Sequence, residues 1–475
     1  MENKNIQTDK TKIPLNRVLS LPTGILLVAG IMIGSGVFKK IAPMALTGLS
    51  EPLILLAWII AGIITMFGAF TYAGLASMTI QTGGVYEYLR LVYGNFLAFL
   101  FGWMIFVIGG SGAIAALAFV FSQSVNTLVH FPNPLEAWKD ISIGQFIFPF
   151  ASSGVKLFAI FLIALLTWLN IRGVKNGGVL NNIVTAAKIL GIILLISVGL
   201  FYTSGNITDS NARTEVVPMH LPVFSALFGA MLSALWAYDG WANITYVTGE
   251  IRNPTRNVPL AIIAGVGIAM ILYVSLNFVF MRVLTLPELA AIGENQIAAS
   301  EVAGVIMGRT GKVLLSILIM ISTFGAVNAC ILVYPRVYYR MAQEQVFFRK
   351  AAYVHPVFRT PYKSLIYSAI WSCVLVITGT FDLLTNMIIF TAYLFFGLVV
   401  WGLVRMKRKG IITSKVVGYP VIPLIIILFS LILVVNTVMV EPKQSLLGFG
   451  LLMTGIPFYY YFRKISNERS GPNRD

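Results

Sequence analysis

The N-terminal region contains, at residues 24–38, the run GILLVAGIMIGSGVF. It begins as an apolar helix, but its Gly-Ser-Gly triplet at 34–36 falls where a spanning helix would cross the centre of a bilayer. Glycine costs a helix interior about 1 kcal/mol relative to alanine, so this triplet favours an opened helix with bare N–H groups. Such groups must meet a ligand, water or buried protein at that depth. We therefore predict a discontinuous first helix, whereas Gly24 and Gly30 are better explained by close helix packing.

The composition is that of a membrane protein. The 475 residues are 57% hydrophobic and 11% charged, against about 25% charged residues in an ordinary soluble domain. The run 180–203 contains one charged residue, Lys188, and the run 378–404 contains only Asp382. About 20 apolar residues cross a bilayer core as a helix, and continuous rather than alternating apolarity excludes a barrel.

Apolar windows predict an all-α membrane protein with 12 transmembrane helices. The first 20 residues are polar and basic, and no small-residue cleavage site follows the first run, so we expect no cleaved signal peptide. The windows are 20–45, 52–78, 95–128, 154–172, 180–203, 222–247, 258–283, 311–340, 363–380, 383–404, 416–440 and 445–463.

The distribution of basic residues predicts the orientation. Most of the 34 lysines and arginines lie in the N-terminus, in the alternate connections on the same side, and in the C-terminal tail. By the positive-inside rule, we expect both termini in the cytoplasm of a protein of the cell membrane. The net charge of +16 is then a topological signal and a contact for anionic lipid, rather than a nucleic-acid surface.

A second discontinuity is predicted in helix 6, within the motif WAYDGW at 236–241. Asp239 lies inside the span, where a charge is costly unless it faces a cavity or a partner. Beside Gly240 it indicates a break; the alternative is a snorkelling or protonated aspartate packed between helices. Helices 1 and 6 each begin a set of five, and this spacing suits an inverted five-plus-five repeat with a substrate between the broken helices.

The repeat divides the chain. We predict a cytoplasmic tail at 1–19, five-helix repeats at 20–203 and 222–404, helices 11 and 12 at 416–463, and a cytoplasmic tail at 464–475.

The two breaks suit an amino acid chemically. Open N–H groups at the start of the second half of helix 1 attract a carboxylate, and exposed carbonyls at the ends of the first halves of helices 1 and 6 attract an ammonium. Trp236, beside the second break, is a candidate gate, with an interfacial belt as the alternative. The candidate substrate-binding residues are Ile33, Gly34, Ser35, Gly36, Trp236, Ala237, Asp239, Gly240, Trp241 and Asn328.

Lys188 in helix 5 has two interpretations. It snorkels to the cytoplasmic surface, or its ammonium lies inside the bundle against helix 1 carbonyls, where sodium-coupled carriers of this architecture hold sodium. Ser322 and Thr323 of helix 8 are candidates for contact with the ammonium, and Asn328 is a candidate to line the pathway. Serine and threonine in membrane helices also commonly bond their own backbone.

Other chemistries find no support in the sequence. Cys330 and Cys373 lie within spans and suit packing rather than a disulfide or metal site. His130, His220 and His355 show no metal spacing, and nucleotide-binding and nucleophile motifs are missing. We expect no metal, no cofactor and no enzymatic activity.

Several motifs together carry a family resemblance. The chain resembles the L-type amino acid transporter family of the amino acid–polyamine–organocation superfamily, in its prokaryotic form, over about residues 20–463. The resemblance implies a LeuT-like fold and sodium-independent transport of L-amino acids, often by obligatory exchange. The motifs are WAYDGW at 236–241, TGEIRNP at 248–254, RNVPLAI at 256–262, GSGVF at 34–38, GGVYEYL at 83–89 and STFGAVN at 322–328.

The resemblance also implies residue roles. The amides of 34–36 would hold the substrate carboxylate, helix 6 carbonyls near Trp236 and Ala237 would hold the amine, and Lys188 matches the family's helix 5 lysine. Trp236 aligns with the family's gating aromatic. Asp239 matches the branch that handles cationic and neutral amino acids, where other members carry glycine, serine or alanine.

Two departures from the family pattern matter. Animal members often carry a cysteine after helix 3 that links a single-pass glycoprotein, whereas the 126–153 loop has none, so we expect no such heavy subunit. Ala242 stands where many relatives carry asparagine, which argues against a substrate contact through that side chain.

A secondary carrier is the favoured class. A channel, a non-transporting amino acid sensor and a membrane-embedded enzyme are the competing classes. Among carriers we favour an exchanger or sodium-independent facilitated transport of neutral and cationic amino acids, with proton symport through Asp239 as the alternative.

Overall fold

A computed structural model describes residues 19–76, 84–143, 147–172, 177–202, 220–293, 296–412 and 416–470. Within these ranges the regular segments are helices, with two isolated backbone bridges. Eleven helical segments are long and apolar enough to cross a membrane, and the shorter apolar helix Tyr362–Thr378 completes a set of twelve. The predicted all-α fold with 12 transmembrane helices is confirmed. Of the two predicted tails, residues 1–18 and 471–475 lie outside the described residues.

The membrane helices, labelled α1 to α12 in chain order, follow the predicted windows closely. As predicted from their sequences, α1 and α6 are each divided into separate helical pieces, and α12 is also divided, at Thr454. The bounds are α1 Leu21–Met32 continuing as Gly36–Lys39 and Ile41–Ala45, α2 Glu51–Ala76, α3 Asn95–Leu128, α4 Ser153–Arg172, α5 Gly177–Phe201, α6 Val223–Tyr238 continuing as the 3-10 helix Trp241–Glu250, α7 Pro254–Val283, α8 Ala298–Val333, α9 Tyr362–Thr378, α10 Phe381–Arg408, α11 Val421–Val440, and α12 Pro442–Met453 continuing as Gly455–Ser470.

A short helix lies between α7 and α8. Thr285 caps the helix Leu286–Ala290 reciprocally with Glu288, because each side chain accepts from the other residue's backbone N–H. The helical run Ala298–Val333 consists of two helices that meet at a kink at Gly308, so the second helix begins close to the predicted start of α8 at 311. Gly308 interrupts that run with φ 63° and ψ −153°, a backbone that glycine adopts without steric cost.

The helices differ in how deeply they lie in the bundle. In the apolar window of α3, 89% of the residues are buried, whereas only 28% are buried in the window of α5. An α5 side chain is therefore more often directed to lipid than to protein. Lys188 is an exception on this helix, because it is only 2% exposed and its side chain points into the bundle.

Candidate functional site

The first break in α1 spans Ile33–Ser35. Ile33 keeps one helical bond, its N–H donating to the Ala29 carbonyl over 2.8 Å, but its ψ is 77°. The Gly34 N–H turns to the Met32 carbonyl over 2.7 Å, instead of the Gly30 carbonyl that a continuous helix would offer. The break therefore leaves carbonyls without helical donors on one side and opens a new helical start at Gly36 on the other.

The break in α6 occurs where the sequence predicts it. Asp239 is extended, with φ −69° and ψ 159°, and Gly240 has φ 97°. A positive φ favours glycine, and a Cβ at Gly240 would also lie 2.6 Å from the Ile31 side chain. The chain then resumes as a 3-10 helix at Trp241. The short Asp-Gly pair thus ends one half-helix and begins the other.

The two breaks lie directly against each other. A Cβ on Gly36 would stand 2.5 Å from the Ala237 Cα, so only glycine allows this approach of α1 to α6. The Trp236 indole N–H donates to the Ser35 hydroxyl over 3.4 Å.

A tyrosine of α7 joins the two half-helix ends. The Tyr273 hydroxyl lies 2.7 Å from the Met32 carbonyl and 3.0 Å from the Ala237 carbonyl. Each carbonyl oxygen keeps a second lone pair, so both retain capacity for another donor. One tyrosine in an apolar helix gives no sequence signal for this role, so the role was not predicted.

Lys188 faces the break in α1. Its ammonium donates to the carbonyls of Gly30 over 3.2 Å and of Ile33 over 3.3 Å, and the Ser322 hydroxyl also donates to Ile33, over 3.0 Å. The snorkelling alternative does not describe this side chain, because its charge ends inside the bundle. The lysine and the serine supply the donors that the opened helix lacks.

Two predicted residues lie away from this arrangement. The Thr323 hydroxyl donates to the Ile319 carbonyl of its own helix over 2.7 Å. The Asn328 amide oxygen accepts from Asn170 of α4 over 2.7 Å and does not line either cavity described below. In this structure Thr323 thus bonds to its own helix rather than to Lys188, and Asn328 lies away from both cavities. Cys330, on the same helix, borders the site instead.

Two cavities adjoin the breaks. The smaller has a volume of about 370 Å³ and the larger a volume of about 840 Å³. Both volumes include the space that is open to solvent. The smaller lies between the breaks, with walls that include Gly34, Ser35, Gly36, Trp236, Gly240 and Cys330. The larger extends along α10 towards its basic end, with walls that include Tyr72, Trp241, Ala242, Tyr393 and Phe396.

Three polar residues line both cavities: Asp239, Asn243 and Tyr334. They form a polar junction between the small cavity and the large one. Beyond it the wall is aromatic, with the Trp241 ring edge-on to Tyr72 at 4.8 Å between centroids. Asn243 and Tyr334 were not predicted, because their helical phase relative to the breaks is set by the tertiary arrangement.

Comparisons with known proteins agree with this architecture. A family model described as amino acid permease matches residues 19–462. The chain is 31% identical over 457 residues to the serine/threonine exchanger SteT of Bacillus subtilis, covering 95% of this chain and 98% of that protein. It is 29% identical to the b(0,+)-type amino acid transporter 1 of Mus musculus, with 97% and 91% covered. It is 27% identical to the mouse large neutral amino acids transporter small subunit 2, with 94% and 81% covered.

Proposed function

Because this chain belongs to the amino acid permease family, we propose that it is a sodium-independent amino acid exchanger, an antiporter working by alternating access. It is a multi-pass membrane transporter and not an enzyme. The observation that carries the proposal is the meeting of two broken helices around a cavity, with a lysine ammonium bonded to the α1 break. Substrate sites at broken helices near mid-membrane are a general solution for carriers.

The smaller cavity suits the common part of an amino acid. The helical piece that begins at Gly36 presents N–H groups without helical acceptors, and with the Ser35 amide these attract a carboxylate. The Gly34 N–H joins them when it leaves the Met32 carbonyl, to which it donates over 2.7 Å in this structure. The α-ammonium has carbonyls at the ends of the first halves of α1 and α6 as acceptors. Trp236 covers this pair of sites and is bonded to Ser35, which supports its assignment as a gate.

Lys188 supports sodium independence. A sodium ion would need oxygen ligands, and the oxygens at the α1 break, from Gly30 and Ile33, already accept from the ammonium. A fixed positive charge in this place neutralises the exposed carbonyl dipoles. A dissociable cation is then unnecessary for closing the site.

The larger cavity is the place for the substrate side chain. The polar junction of Asp239, Asn243 and Tyr334 separates it from the smaller cavity. A carboxylate at that level pairs with a cationic side chain, and the aromatic walls beyond accept apolar ones. We therefore assign neutral and cationic L-amino acids as the substrate class, in line with the mouse b(0,+)-type relative.

Counterflow in proteoliposomes tests the function. Vesicles loaded with each of the twenty amino acids should take up labelled substrate faster than empty vesicles, equally in sodium and in choline buffer. Saturating uptake with trans-stimulation separates a carrier from a channel, and binding without flux would indicate a sensor. Uptake indifferent to the internal amino acid, yet raised by external acid, would replace exchange by proton symport.

The orientation is proposed from charge. Arg405, Lys407 and Arg408 end α10, and this end should be cytoplasmic together with both termini. A topology reporter at residue 410 should respond only inside the cell; a response outside would reverse the orientation. We also propose that the chain works without a disulfide-linked heavy subunit and that its two five-helix repeats are 20–203 and 222–404.

A further inference from the structure

We propose that Lys40 and Asp382 form a latch. The latch closes the substrate site on the side of the membrane opposite the basic end of α10. Both are positioning residues: they act on access to the site rather than on the substrate. The inference rests on the proposed transport function, and it goes beyond it by assigning the closing contact.

The ammonium of Lys40 is completely enclosed and fully bonded. It donates to the Asp382 carboxylate over 2.6 Å, to the Thr385 hydroxyl over 2.7 Å and to the Asn386 amide oxygen over 3.4 Å. The Lys40 side chain has no exposed surface, whereas Asp382 keeps 23%. Three acceptors match the three donors of an ammonium. The ion pair is therefore fully buried at Lys40 and partly exposed to solvent at Asp382.

The contact between Lys40 and Asp382 joins the second piece of α1 to the start of α10. Lys40 follows the second piece of α1, beyond the break, and Asp382 lies in the first turn of α10. The basic residues of α10 are at its other end, and the larger cavity lies along α10 in that direction, at Tyr393 and Phe396. The latch and the larger cavity are thus on opposite sides of the break.

A ring connects the latch to the gate of the site. The ammonium groups of Lys39 and Lys40 lie 4.9 Å and 5.0 Å from the centre of the Phe381 ring. Trp236 also packs against that ring, edge-on at 6.2 Å between centroids. Lys39 also donates to Gln123 of α3 over 2.8 Å. The end of the second piece of α1 is therefore bonded to α3 and α10, next to the Phe381 ring that packs against Trp236.

Opening on this side requires the pair to separate, because it joins α1 to α10 on that side of the break. Separating a buried pair without solvent would be costly, since each charge would lose its partner in a dry interior. An opening that admits water hydrates both charges and recovers much of that cost. The pair therefore favours the closed state without preventing the change, which is what a latch in an alternating-access cycle must do.

Thiol labelling from the two membrane faces tests the latch. Cys330 lines the smaller cavity, so in a Cys373→Ala background it reports access through a membrane-impermeant cationic methanethiosulfonate. In intact cells, Lys40→Met and Asp382→Asn should each raise the labelling rate about tenfold, the size expected for one charge-assisted hydrogen bond. Labelling in inside-out vesicles should not rise.

The two neutralisations shift the local charge in opposite directions. A simple effect of charge on the reagent would therefore change the two rates in opposite directions, whereas the latch predicts the same direction. The Lys40→Asp, Asp382→Lys double variant should return the rate towards wild type. Lys139→Met removes an exposed ion pair with Glu136 and should leave the rate unchanged.

Labelling at the wild-type rate in folded, substrate-binding variants would overturn the latch, and so would an equal change from both faces. If the charge variants fail to fold, Thr385→Val keeps both charges and removes one acceptor of Lys40; it should raise the rate severalfold, and an unchanged rate overturns the proposal. The readout does not depend on which amino acid is carried. A missing counterflow signal would contradict the proposed function instead.

Discussion

Replacing Lys188 by alanine should nearly abolish exchange. The variant removes donors from two buried carbonyls, those of Gly30 and Ile33. Ile33 keeps the Ser322 hydroxyl as a donor. The Gly30 carbonyl already lacks its helical partner because of the break, and in the variant it loses the lysine as well. A hydrogen bond to a charged group contributes roughly 1.5 to 3 kcal/mol, and an unpaired buried carbonyl costs about 1 to 3 kcal/mol. We take the net loss as about 3 kcal/mol, or about 100-fold in the population of the ordered break.

The assay is counterflow per reconstituted molecule, with a graded set of variants. Ser322→Ala removes one neutral hydrogen bond and should slow exchange about fivefold. Lys156→Ala is the matched control, because that lysine is also buried and also bonded only to carbonyls, those of Phe148, Pro149 and Ile377. It should lower stability while leaving exchange per folded molecule close to wild type.

The order of effects is the critical result. If Lys188→Ala and Lys156→Ala slow exchange equally, the loss is general destabilisation and the role assigned to the α1 break is refuted. Wild-type exchange in Lys188→Ala would refute it outright.

Three other changes have defined outcomes. Asp239→Gly should weaken the apparent affinity for arginine and lysine about tenfold more than that for neutral amino acids, measured by competition; equal losses would remove the charge pairing. Gly36→Ala drives a methyl group into α6 and should abolish exchange, whereas Gly229→Ala, in α6 with open space around it, should be tolerated in the same counterflow assay. Lys40→Met should also lower the thermal stability of the detergent-solubilised protein, whereas Lys139→Met should not; equal melting temperatures would contradict the burial argument.

Much of the fold could be predicted because its signals are local. Apolar runs of membrane length define the helices, and a glycine or charge in the middle of such a run is unusual enough to indicate a break. Both breaks therefore appear where they were expected to within a residue, at 33–35 and at 239–240. The interruption at Gly308 was not predicted, because a single glycine in a mixed segment has no such contrast.

The site was predictable only in part, since facing directions depend on tertiary packing. At 3.6 residues per turn, Asn328 lies about 120° around α8 from Ser322, which explains why it reaches α4 instead of the cavity. Thr323 has its own backbone as a competing acceptor. The Lys40–Asp382 pair joins residues 342 positions apart, and no local pattern indicates such a partner.

The tethered ammonium of Lys188 has a thermodynamic consequence. A sodium ion bound at the α1 break would be released with the substrate, and its electrochemical gradient would drive accumulation against concentration. A lysine is never released, so this site has no access to that energy. A carrier built in this way, when it exchanges, can only trade one amino acid's concentration ratio across the membrane for another's. Its net direction is then set by the cell's metabolism of those amino acids.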